Sequence, residues 1–253
     1  MLMALAASTA AAIGLPPQSA AQSPGVHYQH HAYMPPGAIG QYQLQRGGPI
    51  GGYFQPVEIA APSGARIALA ENGRFGEGAA RVRVGLLIGQ VYRLRVTNIP
   101  LAAGEEVYPT LELIDRTYPP PGESAAFPIQ IEIADDDLRH AMAGRFVVRV
   151  TYLEDPQRAL PAAAGPQQEW FDVGPGDDPL LVADTLGRPV AILRMGSRVP
   201  ANPEAPGMAF LYGCPPLVRL RVPEIPPAPS GGAHGRLPSA AWGPPAPGLP
   251  SAR

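Results

Sequence analysis

The chain has 253 residues, with 19 basic and 21 acidic side chains and a formal charge of -2. That length holds one domain of ordinary size or two small ones, and the near balance of charge excludes the basic excess of a nucleic-acid binder. All 19 basic residues are arginine, a bias that points to a GC-rich genome, so arginine number alone says little about function although each guanidinium keeps its planar five-donor fork.

The 34 prolines and 29 glycines make up about a quarter of the chain and cluster toward its ends. A folded middle between low-complexity flanks is expected from that distribution. Cys214 is the sole cysteine, so no internal disulfide can form and it reads as an incidental residue of a turn.

Residues 1–21, MLMALAASTAAAIGLPPQSAA, form a signal-peptide-like segment: a short apolar run ended by Pro16-Pro17, then Ser19 and Ala21 as small residues before a cleavage point. It lacks the basic start of a typical export signal. Its apolar run is shorter than the ~20 residues a transmembrane helix needs, and no other stretch is long enough, so no transmembrane span is expected. Residues 22–52, rich in Gln, Gly, Pro and Tyr, show neither helical nor strand periodicity and read as a linker. His27, His30 and His31 lie there, but nothing nearby supplies the rigid frame and supporting hydrogen bonds of a metal site, so no metal is expected.

Residues 53–200 are expected to form a β-rich domain. Val91–Val96, Ile129–Ile133, Phe146–Tyr152 and Leu217–Val222 alternate apolar and polar residues with period two, as strands with one buried face do. Weaker strand candidates are Val57–Ile59, Ala65–Ala70, Arg81–Leu86, Thr110–Ile114, Glu169–Val173 and Val190–Arg194. Turn signals separate them, and Asn72-Gly73 is the best hairpin turn because both residues tolerate positive φ. This spacing predicts a mainly β fold, a β-sandwich or open barrel with two short helices and disordered N- and C-terminal flanks.

The two helices follow aspartate clusters. In ADDDLRHAMAGRF, Asp135, Asp136 and Asp137 suit the first turn of a helix, Leu138, Ala141 and Met142 share a face, and Gly144 fits the stop. In GDDPLLVADTLGRP, Asp177 and Asp178 lead, Pro179 takes the first helical position and Gly187 ends the helix. Neither cluster has the alternate oxygen ligands of a calcium loop. Residues 201–253 form a Pro-rich tail with one strand candidate at 217–222, and its PxxP pattern reads as a spacer.

The alternation places Arg81, Arg83, Arg93, Arg95, Arg149, Arg219 and Arg221 on the polar faces of strands. Neighbouring strands would join them into a cationic stripe able to pair with anionic glycans or phosphate-bearing polymers. Arg93, Arg95 and Arg149 are the candidate ligand-binding residues. The structural alternative is cross-strand pairing with Glu112, Asp115 and Glu132. No G-x-S-x-G elbow, Walker loop, dinucleotide fingerprint or Cys/His zinc pattern occurs, so no cofactor is expected and no catalytic residue is assigned.

The blocks VGLLIGQVYRLRVTNIP, EVYPTLELIDRTYPPPG, AGRFVVRVTYLEDP and GDDPLLVADTLGRPVAILRMGSRVP resemble uncharacterised exported proteins of planctomycete-type bacteria, over roughly Pro49 to Pro200. The resemblance implies export and a β-rich domain, and transfers no activity, ligand or site residue. The sequence therefore predicts a secreted or envelope-associated, non-enzymatic structural or binding protein whose partner is an envelope polymer or another protein. One alternative is a polysaccharide hydrolase using two of Glu105, Glu106, Glu112 and Asp115 at ~5–9 Å separation. The other is a periplasmic subunit of an assembly that covers the arginine face.

Overall fold

A computed structural model describes residues 31–154, 170, 172–174 and 176–220. The signal-like segment and the tail beyond 220 lie outside the described residues, as do His27, His30 and Arg221. Among the described residues the first element is helix α1 (Ala38–Gln45), followed by strands β1 (Phe54–Ala60), β2 (Arg66–Glu71), β3 (Arg74–Phe75), β4 (Arg81–Leu87), β5 (Val91–Thr97) and β6 (Thr110–Leu113). After a 3-10 turn at Ser124–Ala126 come β7 (Ile129–Glu132), α2 (Asp135–Met142), β8 (Val147–Glu154), α3 (Pro179–Leu186), β9 (Gly187–Met195) and β10 (Leu217–Arg219).

The strands form two sheets, β10-β4-β1-β7 and β3-β2-β5-β6-β9-β8. Only β1 and β7 pair in parallel; the other ladders are antiparallel. This is the mainly β, sandwich-like architecture that the alternation predicts. Val57, Ile59, Val84, Leu86 and Ile131 from the smaller sheet meet Ile67, Leu69, Leu94, Leu111 and Leu193 from the larger one in a single core. Each such side chain, at most 2 % exposed, contributes about 1.5–3 kcal/mol by leaving water. At the predicted hairpin, Asn72 and Gly73 both have positive φ, 51° and 80°, and join β2 to β3.

Both expected helices form, each with its own stop. In α2 the cap residue is Ala134, whose N–H donates to Asp137 Oδ2 at 3.3 Å. The helix ends in paired bonds, Gly144 N–H to Ala141 O and Arg145 N–H to His140 O, with Gly144 at φ 80°. These are the bonds of a Schellman stop. In α3, Asp178 is the cap and accepts from Leu180 N–H at 2.9 Å. Gly187 is not left-handed; its φ of 176° is extended and it opens β9. Glycine is needed there because a Cβ would stand 2.1 Å from Leu153 O on β8.

The fold reaches beyond 53–200 on both sides. α1, inside the expected linker, docks so closely that a Cβ on Gly40 would meet Gly89 Cα at 2.8 Å and Leu113 O at 2.9 Å. Residues from the expected tail pack too: Phe210 and Leu211 are buried with Ala70 and Tyr108, and β10 joins β4. The candidate strand 169–173 is absent at Trp170, Asp172 and Val173, the described residues of that stretch.

Candidate functional site

The outer face of the six-stranded sheet is not a solvent face. Ala32, Ile39 of α1 and Leu180 of α3 cover Ile114 and Ile192 on one part of it. Residues 210–214 cover Ala70 and Tyr108 on another. Between these covers lies a cleft of about 430 Å³ with buried sheet side chains at its base, within the range of small-molecule sites.

Three strands supply the floor. Arg93 on β5 stands opposite Thr110 on β6, which stands opposite Arg194 on β9. Cross-strand partners share a face, so these three side chains form a row, with the small threonine between two arginines. Adjacent strands are ~4.8 Å apart, which puts the two arginine backbones roughly 10 Å from each other.

Arg93 is 5 % exposed. Its Nε donates to Phe210 O at 3.1 Å and its Nη1 to Tyr108 O at 2.8 Å. Its guanidinium lies 4.4 Å from the centroid of Phe210 and 5.0 Å from that of Tyr212. Burial lowers its pKa below the usual arginine value, and nearby Arg198 pushes the same way while Tyr212 opposes. No carboxylate pairs with it among the described residues. Arg194 is 2 % exposed; its Nη1 donates to Glu112 Oε2 at 2.7 Å and its Nε to Ala32 O at 2.9 Å. Its Nη2 has no hydrogen-bond partner among the described residues. Glu112 Oε1 is taken by Gly40 N–H at 2.8 Å, which fastens α1.

The mouth follows from the topology. The start of β8 pairs with the end of β9, Val147 opposite Met195, so the turns before and after them lie together. Those turns carry exposed Arg145 and Arg198. Tyr33 and Phe146, 61 % and 59 % exposed, stand 6.2 Å apart between ring centroids at the same end. Among the described residues, four arginines and no aspartate, glutamate, histidine or cysteine line the cleft. Its Tyr108 phenol donates to Glu106, and burial first, then that bond, pushes its pKa up to about 12. The described lining of the cleft thus offers cationic donors and aromatic faces.

Of the three candidate binding arginines, the cleft contains Arg93 alone. Arg95 pairs with Glu106 beside it. That carboxyl is held below its usual range: burial alone would raise it, but the hydrogen bonds from Arg95 and Tyr108 outweigh this. Arg149 is not on an outward face. It stands opposite Leu193, on the sandwich side of edge strand β8, where its Nε and Nη2 both donate to Asp137 Oδ1 of α2, at 3.0 and 2.7 Å. Trp170 lies over the same guanidinium at 4.7 Å. The continuous cationic stripe does not form: Arg83 and Arg93 are buried, and exposed Arg81 and Arg219 pair with Glu58 and Glu71.

Cross-strand and neighbouring acids instead engage many of the described arginines, as Asp115 does Arg188 and Glu112 does Arg194. Three of the four acidic hydrolase candidates, Glu106, Glu112 and Asp115, are engaged by an arginine, and Glu105 is exposed without such a partner among the described residues. Sequence reasoning missed Arg194, Arg145 and Arg198. The available signal was the pair of glycine turns, AGR and GSR, at adjoining strand ends. No helix among the described residues is long and apolar enough to cross a membrane. Compared with family models, curated proteins and solved structures, the chain matches none.

Proposed function

We propose that this protein is a non-enzymatic binding module, secreted or held in the cell envelope, that captures an anionic ligand in the cleft on its six-stranded sheet. One observation carries the reading: among the described residues, four arginines line that cleft and no acidic residue does. Among the described residues Arg194 alone of the four is matched to an acid, by Glu112, and a concave, aromatic-walled site with three unmatched arginines is where anion recognition is expected. The export-like segment at 1–21 and the resemblance to exported planctomycete-type proteins support the envelope setting.

Co-sedimentation of the full chain with wall and outer-membrane fractions, at low and high salt, tests the proposal. Salt-sensitive pelleting that is lost in the Arg145→Gln/Arg198→Gln variant is the expected result. Pelleting that survives both high salt and the double substitution would remove the cleft from the explanation, and no pelleting at all would remove the envelope.

A further inference from the structure

We infer that the cleft floor is a subsite for one carboxylate, seated over Thr110 between Arg93 and Arg194, and that the group carrying it is a uronic-acid-type sugar ring. The inference rests on the binding reading above and assigns its ligand class.

Charge balance comes first. Of the two buried floor guanidiniums, that of Arg194 is matched by Glu112 beside the cleft and that of Arg93 by no carboxylate among the described residues, so the floor has one positive charge in excess. A desolvated charge without a counter-charge is costly, and a single negative charge restores neutrality. Geometry agrees. Arg93 is oriented by two backbone carbonyls rather than consumed by an acid, and Arg194 has one nitrogen unpartnered. Guanidinium forks pair bidentately with a planar carboxylate. Thr110, shorter than either neighbour and with its hydroxyl turned to Arg194 O, leaves the recess between them.

The walls indicate what carries the carboxylate. Tyr33, Phe146 and Tyr212 present ring surface around the opening, and an aromatic face is apolar in its body, fit to cover the C–H face of a pyranose. Exposed Arg145 and Arg198 at the rim suit further acidic residues of a chain entering from solvent and speed its approach.

Titration calorimetry on the full chain with glucuronate, glucose, glucose 6-sulfate and glucose 6-phosphate decides the matter. Glucuronate is expected to bind, with glucose at least ~10-fold weaker, the size expected when a charge-assisted hydrogen-bond pair is lost. Arg198→Gln, an exposed change that leaves the core alone, should weaken glucuronate several-fold and leave glucose unaffected. Arg93→Lys, checked for folding by its melting curve, should weaken glucuronate more than Arg198→Gln does. The inference is overturned if glucose binds as tightly as glucuronate, if either the sulfate or the phosphate binds more tightly, or if none of the four binds. Envelope pelleting that glucuronate does not compete would overturn this subsite and leave the binding reading intact. Glucuronate binding without any pelleting would keep the subsite and remove the envelope setting.

Discussion

Replacing Glu112 by glutamine changes one atom type at the place where the outer sheet face, α1 and the cleft floor meet. The carboxylate is fully buried, and it serves Arg194 Nη1 at 2.7 Å and Gly40 N–H at 2.8 Å. An amide can accept from only one of these and must turn its NH2 toward the other, leaving a guanidinium 2 % exposed without a counter-charge. Breaking a buried pair from one side costs about 3–5 kcal/mol. For a domain of this size that is a fall in Tm of roughly 6–20 °C. Urea unfolding followed by circular dichroism measures it.

The control is the double variant Glu112→Leu/Arg194→Met. It removes both charges together, which is neutral or stabilising by about 1–4 kcal/mol, while stranding Gly40 N–H for about 1–3 kcal/mol. Its stability should return to within about 2 kcal/mol of the natural protein. A double variant as unstable as Glu112→Gln would show that the loss comes from misplaced α1 and not from a stranded charge. A loss below about 1 kcal/mol for Glu112→Gln would refute the buried-pair account altogether.

Further outcomes follow from other sites. Asp178→Ala removes the cap of α3 and also the acceptor for Ala32 N–H at 3.1 Å, so it should cost about 1–2 kcal/mol in urea unfolding and speed proteolysis near residue 32. Gly187→Ala drives a methyl into Leu153 O at 2.1 Å; a loss of about 1–3 kcal/mol or more, with faster amide exchange along β8, is expected. Tyr92→Phe deprives Leu87 N–H of its acceptor at 2.8 Å and should cost about 1–2 kcal/mol. Burial pushes the Tyr92 phenol up to about 12 from the ordinary 10.0. Because the fold holds the neutral phenol, its contribution is complete below pH 10 and is lost as pH rises through about 12. An alkaline unfolding curve should therefore shift less steeply over that window in Tyr92→Phe.

The strands were legible because burial on one face writes a period of two into the chain. β5, β7 and β8 could be read from alternation alone, and the aspartate and glycine boundaries of α2 gave its place. What alternation cannot tell is what lies on each face. Arg93 and Arg95 are polar positions, yet Phe210 and Tyr212 cover the first, and they come from a stretch whose glycines and prolines resemble a tail. α1 escaped notice for a related reason. It has no apolar stripe, with only Ile39 and Gly40 buried, and is held by contacts to Gly89 and Glu112 that exist only after folding. Arg149 was misplaced because β8 is an edge strand, partly covered on both faces by different helices, so its pattern does not distinguish inside from outside.

The bonds that shape the cleft span long stretches of chain: Arg93 to Phe210 crosses 117 residues, and Arg194 to Ala32 crosses 162. Non-local closures of this kind form slowly, after the ladders between neighbouring strands. The site is therefore absent from any partly folded chain that has its strands but not both covering segments, and binding competence is a property of the finished fold. A ligand that reaches Tyr33 and Tyr212 at once joins segments from opposite ends of the described sequence. By mass action it favours only the state in which both are docked, so occupancy would slow opening from either side and make the protein harder for proteases to digest.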